Sequence, residues 1–181
     1  MRELALHILD LLENCIRAGA AVTAVTIAQD HERDLLDVVV EDDGPGLNVS
    51  FEEALDPFYT TKSGKKTGMG LSLFKFRAEQ SGGTLTLGKS ELGGLKVSVS
   101  MQLSHIDRSP LGDLATTLST LVCTTPDVDL QCRLRSDADE RYISVVQAAQ
   151  ALPPEQRHEF AIASAMYRQI QQGLTELSFG E

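Results

Sequence analysis

The spacing of apolar residues changes from a helical period to a strand period within the first forty residues. Residues 22–29 and 35–41 are short, rich in valine, and predict two strands joined by a polar turn. Before them, residues 1–18 predict an amphipathic helix, because apolar side chains recur three and four positions apart: Leu4, Ile8, Leu11, Leu12 and Ile16.

The same two periods return after a turn-rich stretch. Residues 68–80 predict a second helix, and residues 84–88 and 96–103 predict two further strands. This order of elements predicts an α+β fold, a two-layer sandwich in which helices cover one face of a mostly antiparallel sheet. We assign this domain to residues 1–103.

The pattern of predicted elements changes near Ser104, where we place a domain or subdomain boundary. Residues 111–123 predict an apolar helix and residues 127–135 one strand, and two further helices are separated by Pro153-Pro154. Residues 104–181 therefore form a helix-rich C-terminal extension. Its apolar helices would suit docking to a protein partner, pairing into a homodimer, or simply covering one edge of the sheet.

Composition excludes several classes of function. The 181 residues carry a net charge of −10, which would repel a nucleic acid backbone. No apolar run reaches the roughly 20 residues that span a bilayer. Cys15, Cys123 and Cys132 are widely spaced among apolar neighbours, which indicates buried, reduced thiols. We expect a soluble cytoplasmic protein that binds neither nucleic acid nor membrane.

The first group of chemically useful residues lies on the opening helix. Asp10, Asn14 and Arg17 are separated by four and three positions, so they share one helix face. An acid, an amide and a guanidinium in one row suit a general base, a Mg²⁺ ligand and a phosphate contact. The alternative is a solvated polar face with an ion pair.

The second group follows an apolar strand and reads Glu41-Asp42-Asp43-Gly44-Pro45-Gly46. Glycines in a tight turn let the backbone approach a planar ligand, and a neighbouring carboxylate can accept a hydrogen bond from an exocyclic amine. The alternative is a plain turn.

The third group, Thr67-Gly68-Met69-Gly70-Leu71, lies between a lysine-bearing loop and a helix. Glycines at a helix N-terminus leave backbone N–H groups open for phosphate. Lys62, Lys65 and Lys66 in that loop could neutralise phosphate charge, or could simply be solvated.

In this order and spacing, the three groups resemble the ATP-binding domain of the GHKL superfamily, which includes histidine kinases, type II topoisomerases and mismatch-repair ATPases. The N box is matched by Asp10 and Asn14, the G1 box by Asp43-Gly44-Pro45-Gly46, and the G2 box by Gly68-Met69-Gly70-Leu71. Residues 56–62 resemble the F box and lid of histidine kinases. The resemblance covers roughly residues 1–103.

The resemblance implies ATP and Mg²⁺ as cofactors and gives most of these residues a role. Asn14 would coordinate Mg²⁺, Arg17 would contact the phosphates, and Asp43 would accept the adenine amino group. Asp10 stands where related ATPases carry a glutamate that activates the nucleophile. Gly44 and Gly46 would allow close packing by the base, and Gly68 and Gly70 would let the lid fold over the triphosphate.

One position departs from the family pattern. Leu95 stands where the family has a threonine that helps to hold a water bound to adenine.

The chain resembles stand-alone kinase-type domains, such as anti-sigma-factor serine kinases, more closely than topoisomerases. We therefore expect an enzyme that binds ATP·Mg²⁺ and transfers the γ-phosphoryl group to a protein partner or hydrolyses it, in signal transduction. The competing hypothesis is a non-catalytic module in which nucleotide binding controls a protein interaction.

A last stretch, Ser104-His105-Ile106-Asp107-Arg108-Ser109-Pro110-Leu111, is similar to the phosphoacceptor box of histidine kinases. In that interpretation His105 would be the phosphoacceptor, with Asp107 holding its other ring nitrogen. The alternative is a linker in which Pro110 starts the next helix.

Overall fold

The computed structural model describes residues 3–55 and 70–179. In these two ranges the chain forms six strands, six α-helices and one short 3₁₀-helix. In chain order they are α1 (Leu4–Arg17), β1 (Val22–Asp30), β2 (Leu35–Asp42), α2 (Phe51–Leu55), α3 (Gly70–Gln80), β3 (Thr84–Lys89), β4 (Leu95–Gln102), α4 (Leu114–Thr124), β5 (Asp129–Ser136), β6 (Asp139–Ser144), α5 (Val145–Gln150), the 3₁₀-helix Pro154–Gln156 and α6 (Glu159–Glu176).

All six strands form one sheet in the order β3-β4-β2-β1-β5-β6. The pairing of β1 with β5 is parallel, and the other four pairings are antiparallel. The predicted α+β class with a mostly antiparallel sheet is confirmed.

Alternation along the strands sends one face of the sheet into the core. On β2 the buried side chains are Leu36, Val38, Val40 and Asp42, and each lies two residues from the next. The three apolar side chains join buried side chains of α1, α3, α4 and α6 in one hydrophobic core. The opposite face is polar and forms a concavity of about 540 Å³, lined by residues such as Thr26, Asp37 and Arg133. Of the described residues in the three predicted groups, Glu41 lines that concavity, whereas Asp10, Asn14, Arg17 and Asp43 do not.

Side chains define where most of the described helices begin. Asp113 caps α4, Ser144 caps α5 and His158 caps α6, each by accepting a backbone N–H from the first turn. Ser50 and Glu53 exchange hydrogen bonds at the start of α2, as in a capping box.

The C-terminal stretch belongs to the same sheet as the rest of the chain. Strand β5 pairs with β1 along its whole length and β6 pairs with β5, while α4 packs against α6. The boundary predicted near Ser104 is therefore not a break in the sheet. It marks the point at which the chain leaves β4, an inner strand between β3 and β2, and crosses over to return beside β1.

Two expectations for this region need correction. Strand β6 was not predicted, because four of its six residues are exposed and its sequence has no apolar alternation. All three cysteines were expected to be buried. Cys15 and Cys132 are buried, but Cys123 is exposed. Within residues 3–55 and 70–179, no helix is both long enough and apolar enough to cross a membrane.

Candidate functional site

Helix α1 carries the first group of predicted residues, and its start is held by the rest of the fold. Its apolar face is buried, with Leu4, Ile8 and Leu12 fully covered. The N-cap residue Glu3 makes no side-chain capping bond. Instead, backbone N–H groups of Leu4 and Ala5 donate to the carbonyl oxygens of Pro110 and Leu111, each at 2.9 Å. The stretch after β4 thereby fixes the start of the helix.

The predicted polar row lies on the face of α1 that is not fully buried. Asp10 and Asn14 are half-buried, and the Arg17 side chain is 51% exposed. Arg17 Nη1 donates to Asn14 Oδ1 at 2.9 Å, and Arg17 Nη2 lies 3.4 Å from Oε2 of the Glu13 carboxylate. The amide oxygen predicted as a metal ligand and the predicted phosphate contact are therefore bonded to each other.

Asp10 meets the start of helix α3. A methyl group on Gly70 would overlap Asp10 Oδ2, so the carboxylate lies directly against the glycine backbone. Leu71, next along, is half-buried and packs on the core. The acid of the first group and a glycine of the third are thus neighbours, although 60 positions separate them in the sequence.

The two helices are also joined one turn earlier on α1. The rings of His7 and Phe74 stack with 4.8 Å between centroids and an interplanar angle of 7°. Both side chains are buried, and neither nitrogen of His7 has a hydrogen-bond partner within residues 3–55 and 70–179. Burial lowers the pKa of His7 to about 4, so the ring is neutral at pH 7. The sequence pattern does not predict this contact.

Asp42 is the buried carboxylate of the second group, with an exposed fraction of 4%. Its Oδ1 accepts hydrogen bonds from the backbone N–H of Gly44 at 2.8 Å and of Leu95 at 3.3 Å. The Cys15 thiol of α1 lies close to the same carboxylate. Burial, together with the neighbouring carboxylate of Asp42, raises the pKa of Cys15. Asp42 therefore lies at the end of β2 on the face of the sheet that the helices cover.

Asp43, the residue predicted to receive the adenine amino group, has different surroundings. It is exposed, and its Oδ1 accepts the backbone N–H groups of Ala21 and Val22 at 2.8 and 2.9 Å. These bonds anchor the glycine turn to the start of β1. Gly46, later in the turn, has a φ of 74°, which favours glycine.

Part of the predicted site lies outside the described residues. This applies to Lys62, Thr67, Gly68 and Met69, and to the stretch 56–62 that resembles the F box. Their assigned roles stay predictions.

His105 lies at the other end of α3 from the predicted site. Its ring is within 3.8 Å of the Cβ position of Gly82, just after the helix, whereas Asp10 meets Gly70 at the helix start. The eleven residues of α3 span about 16 Å at 1.5 Å per residue.

A backbone group, not the predicted carboxylate, holds the ring of His105. The backbone N–H of Asp107 donates to Nδ1 at 3.1 Å. The proton of the neutral ring is then on Nε2, which leaves neither nitrogen with a free lone pair for attack. This geometry favours the linker alternative.

We expect the substitution His105→Ala to leave phosphoryl labelling unchanged. Wild type and variant are incubated with Mg²⁺ and γ-labelled ATP, and bound label is tested for loss in acid and retention in alkali. A label with that stability on the wild type, absent from the variant, would instead support the phosphoacceptor hypothesis.

Comparison with known proteins is consistent with this arrangement. Residues 2–105 match the family model described as histidine kinase-, DNA gyrase B- and HSP90-like ATPase. The sensor protein kinase CarS of Pseudomonas aeruginosa is 35% identical over 102 residues, which are 55% of this chain and 22% of the kinase. The chain thus corresponds to about a fifth of that relative's length.

Two solved structures are similar at lower identity. The ATP-binding domain of PrrB from Mycobacterium tuberculosis is 23% identical with a TM-score of 0.41, over 54% of this chain and 64% of that one. The Aquifex aeolicus MutL ATPase domain complexed with ADP is 16% identical with a TM-score of 0.48, over 80% of this chain and 63% of that one.

Proposed function

Because the chain belongs to the family of histidine kinase-, DNA gyrase B- and HSP90-like ATPases, we propose that it binds ATP·Mg²⁺ along helix α1 and catalyses attack on the γ-phosphoryl group. The acceptor is either a protein partner or water. The observation that carries this proposal is the contact of Asp10 with Gly70. It brings an acid to the helix N-terminus where backbone N–H groups favour phosphate.

Helix α1 connects the two ends of the proposed site. Cys15, near its C-terminal end, contacts Asp42, and Asp10, about 7.5 Å earlier along the axis at 1.5 Å per residue, contacts Gly70. A nucleotide lying along α1 would present its base to Asp42 and its phosphates to Asp10 and α3. Asn14 lies between the two ends.

The residues present fit a magnesium nucleotide. Mg²⁺ takes few protein ligands and keeps waters and phosphate oxygens, so a single amide oxygen such as Asn14 Oδ1 suffices. Among the described residues there is no cluster of three acidic, histidine or cysteine side chains that would hold a metal alone. When bound, the metal would neutralise phosphate charge. Arg17 would then leave Asn14 Oδ1 and pair with a phosphate oxygen.

Asp10 would act on the nucleophile. Its carboxylate is half-buried and borders the start of α3, where the γ-phosphoryl group would lie. From there it can orient a water or a partner's hydroxyl and take up its proton. Water and a protein acceptor would use the same carboxylate, so the chemistry of this chain is common to both outcomes.

Asp42 is a better candidate for base recognition than Asp43. A buried carboxylate that faces the helix layer can accept a hydrogen bond from an amine that is itself removed from water, where such a bond contributes most. The carboxylate of Asp43 already anchors Ala21 and Val22 at the surface. We therefore assign the adenine amino group to Asp42 and a structural role to Asp43.

This assignment predicts different outcomes for two neighbouring substitutions. Asp42→Asn should weaken ATP binding by about tenfold or more, because the amine loses a charged acceptor that water cannot replace. Asp43→Asn, the matched control, should lower thermal stability and leave affinity within about threefold. Titration calorimetry with ATP measures the affinity of both variants. Weaker binding by Asp43→Asn than by Asp42→Asn would instead assign the adenine amino group to Asp43.

One observation favours the alternative of a nucleotide-controlled interaction module. The first turn of α1 is hydrogen-bonded to Pro110 and Leu111, so a shift of α1 on nucleotide binding would reach the C-terminal stretch directly.

Purified protein incubated with Mg²⁺ and γ-labelled ATP separates the two functions. Release of phosphate, or label on an added partner, supports the enzyme; tight binding without either supports the module.

A further inference from the structure

Thr23 carries a buried hydroxyl that the fold does not use. The side chain is fully buried on β1, and Oγ1 has no hydrogen-bond partner among the residues that the structure describes. Removing a hydroxyl from water without a new partner is unfavourable for folding, and valine has nearly the same shape. Packing alone therefore gives no reason for threonine at this position.

The position of Thr23 relates this hydroxyl to the proposed base site. Thr23 lies directly opposite Asp42 in the antiparallel pairing of β1 with β2, and both side chains are buried on the core face. Opposed residues of this kind have Cβ atoms about 4.5–5.5 Å apart. On the other side of Asp42, the neighbouring strand β4 contributes Leu95, whose backbone N–H bonds to the carboxylate. Of the two strands that flank Asp42, β1 supplies the hydroxyl and β4 an apolar side chain.

A carboxylate beside a hydroxyl offers an acceptor next to a donor. Adenine presents the complementary pair on one edge, an exocyclic amine that donates and the adjacent ring nitrogen N1 that accepts. Guanine presents a carbonyl and an N–H at the corresponding atoms, so it would oppose acceptor to acceptor at Asp42. Discrimination by such paired polar groups is strong, because the wrong base leaves buried groups without partners.

We propose that Thr23 is a specificity-determining residue, whose hydroxyl donates to adenine N1 directly or through one bridging water while Asp42 accepts from the amine. This inference rests on the proposed binding of ATP. The hydroxyl would then come from β1, on one side of Asp42. The family resemblance would put a hydroxyl on β4, on the other side of Asp42, where this chain has Leu95.

The experiment combines one protein change with one ligand change. Titration calorimetry measures ATP and its 1-deaza analogue, in which a C–H group replaces N1, against wild type and Thr23→Val. We expect about tenfold weaker binding when either the hydroxyl or N1 is removed, and no further loss when both are removed, because the two changes delete the same hydrogen bond. Thr23→Ser keeps the hydroxyl and should bind ATP like wild type.

Two controls keep the outcome specific. Thr26→Val removes a hydroxyl from the same strand, on the polar face that lies away from Asp42, and should leave both affinities unchanged. An ATP analogue without the exocyclic amine should lose the same affinity in wild type and in Thr23→Val, since Asp42 serves that group. The melting temperature of Thr23→Val without ligand should equal or exceed that of wild type.

The results distinguish this inference from the proposed function. If the wild type does not bind ATP, the proposed function fails and the inference with it. If the wild type binds ATP, the inference alone is overturned when Thr23→Val binds ATP as tightly as wild type, or when wild type does not distinguish the 1-deaza analogue from ATP.

Discussion

Replacing Asp10 by Asn is expected to lower ATP turnover by roughly 10²–10⁴ while ATP affinity stays close to that of wild type. The amide keeps the size of the side chain and its place against Gly70, but it cannot take up a proton. Because the contact with the glycine backbone is retained, nucleotide binding should survive. Phosphate release under saturating ATP and Mg²⁺ measures turnover, and calorimetry measures affinity.

A second substitution tests whether the position of this carboxylate matters as well as its charge. Gly70→Ala places a methyl group where Asp10 Oδ2 now lies, so the carboxylate must turn away. Turnover should again fall more than affinity. Glu79→Gln removes a charge from the exposed end of α3, where its ion pair with Lys75 contributes little, and serves as the control. Equal turnover in wild type and Asp10→Asn would remove Asp10 from the catalytic role, and ATP binding without turnover in either would favour the interaction module over the enzyme.

The first hundred residues show what hydrophobic spacing can predict. Helix α1 and the strand pairs β1–β2 and β3–β4 lie within a few residues of their predicted bounds, because each buries one regular face. Strand β6 could not be found in this way. Its partner β5 carries the alternation, and β6 is an edge strand whose first four residues are exposed.

Contacts between distant elements were also beyond the sequence pattern. The parallel pairing of β1 with β5 joins residues about a hundred positions apart, and nothing local specifies which strand returns beside β1. The stacking of His7 on Phe74 is of the same kind. The strand pairing depends on the order of strands in the sheet, and the ring stacking depends on how α1 and α3 pack. Both are tertiary properties.

The alternation of residues along β2 distinguishes the two neighbouring carboxylates of the site. Leu36, Val38 and Val40 alternate on β2, and the next residue in that period is Asp42, not Asp43. Period two therefore places Asp42 on the core face and Asp43 at the surface. Thr23 follows from the same rule, since Val25 and Ile27 continue its face on β1.

Replacing Asn14 by Ala is expected to abolish the dependence of ATP binding on Mg²⁺ and to eliminate turnover. The amide oxygen is the protein ligand that we assign to the metal, and in the structure it accepts a hydrogen bond from Arg17 at 2.9 Å. Without it, adding Mg²⁺ should no longer strengthen ATP binding, a loss of at least about tenfold at saturating metal. Binding of ATP in the presence of a chelator should change little, because the base contacts are intact.

Gln172→Ala removes an exposed amide on α6 that bonds only to Glu176 among the described residues, and it should behave like wild type. Affinities measured by calorimetry at several Mg²⁺ concentrations decide the matter: a full Mg²⁺ response in Asn14→Ala would mean that the metal takes its protein ligand elsewhere.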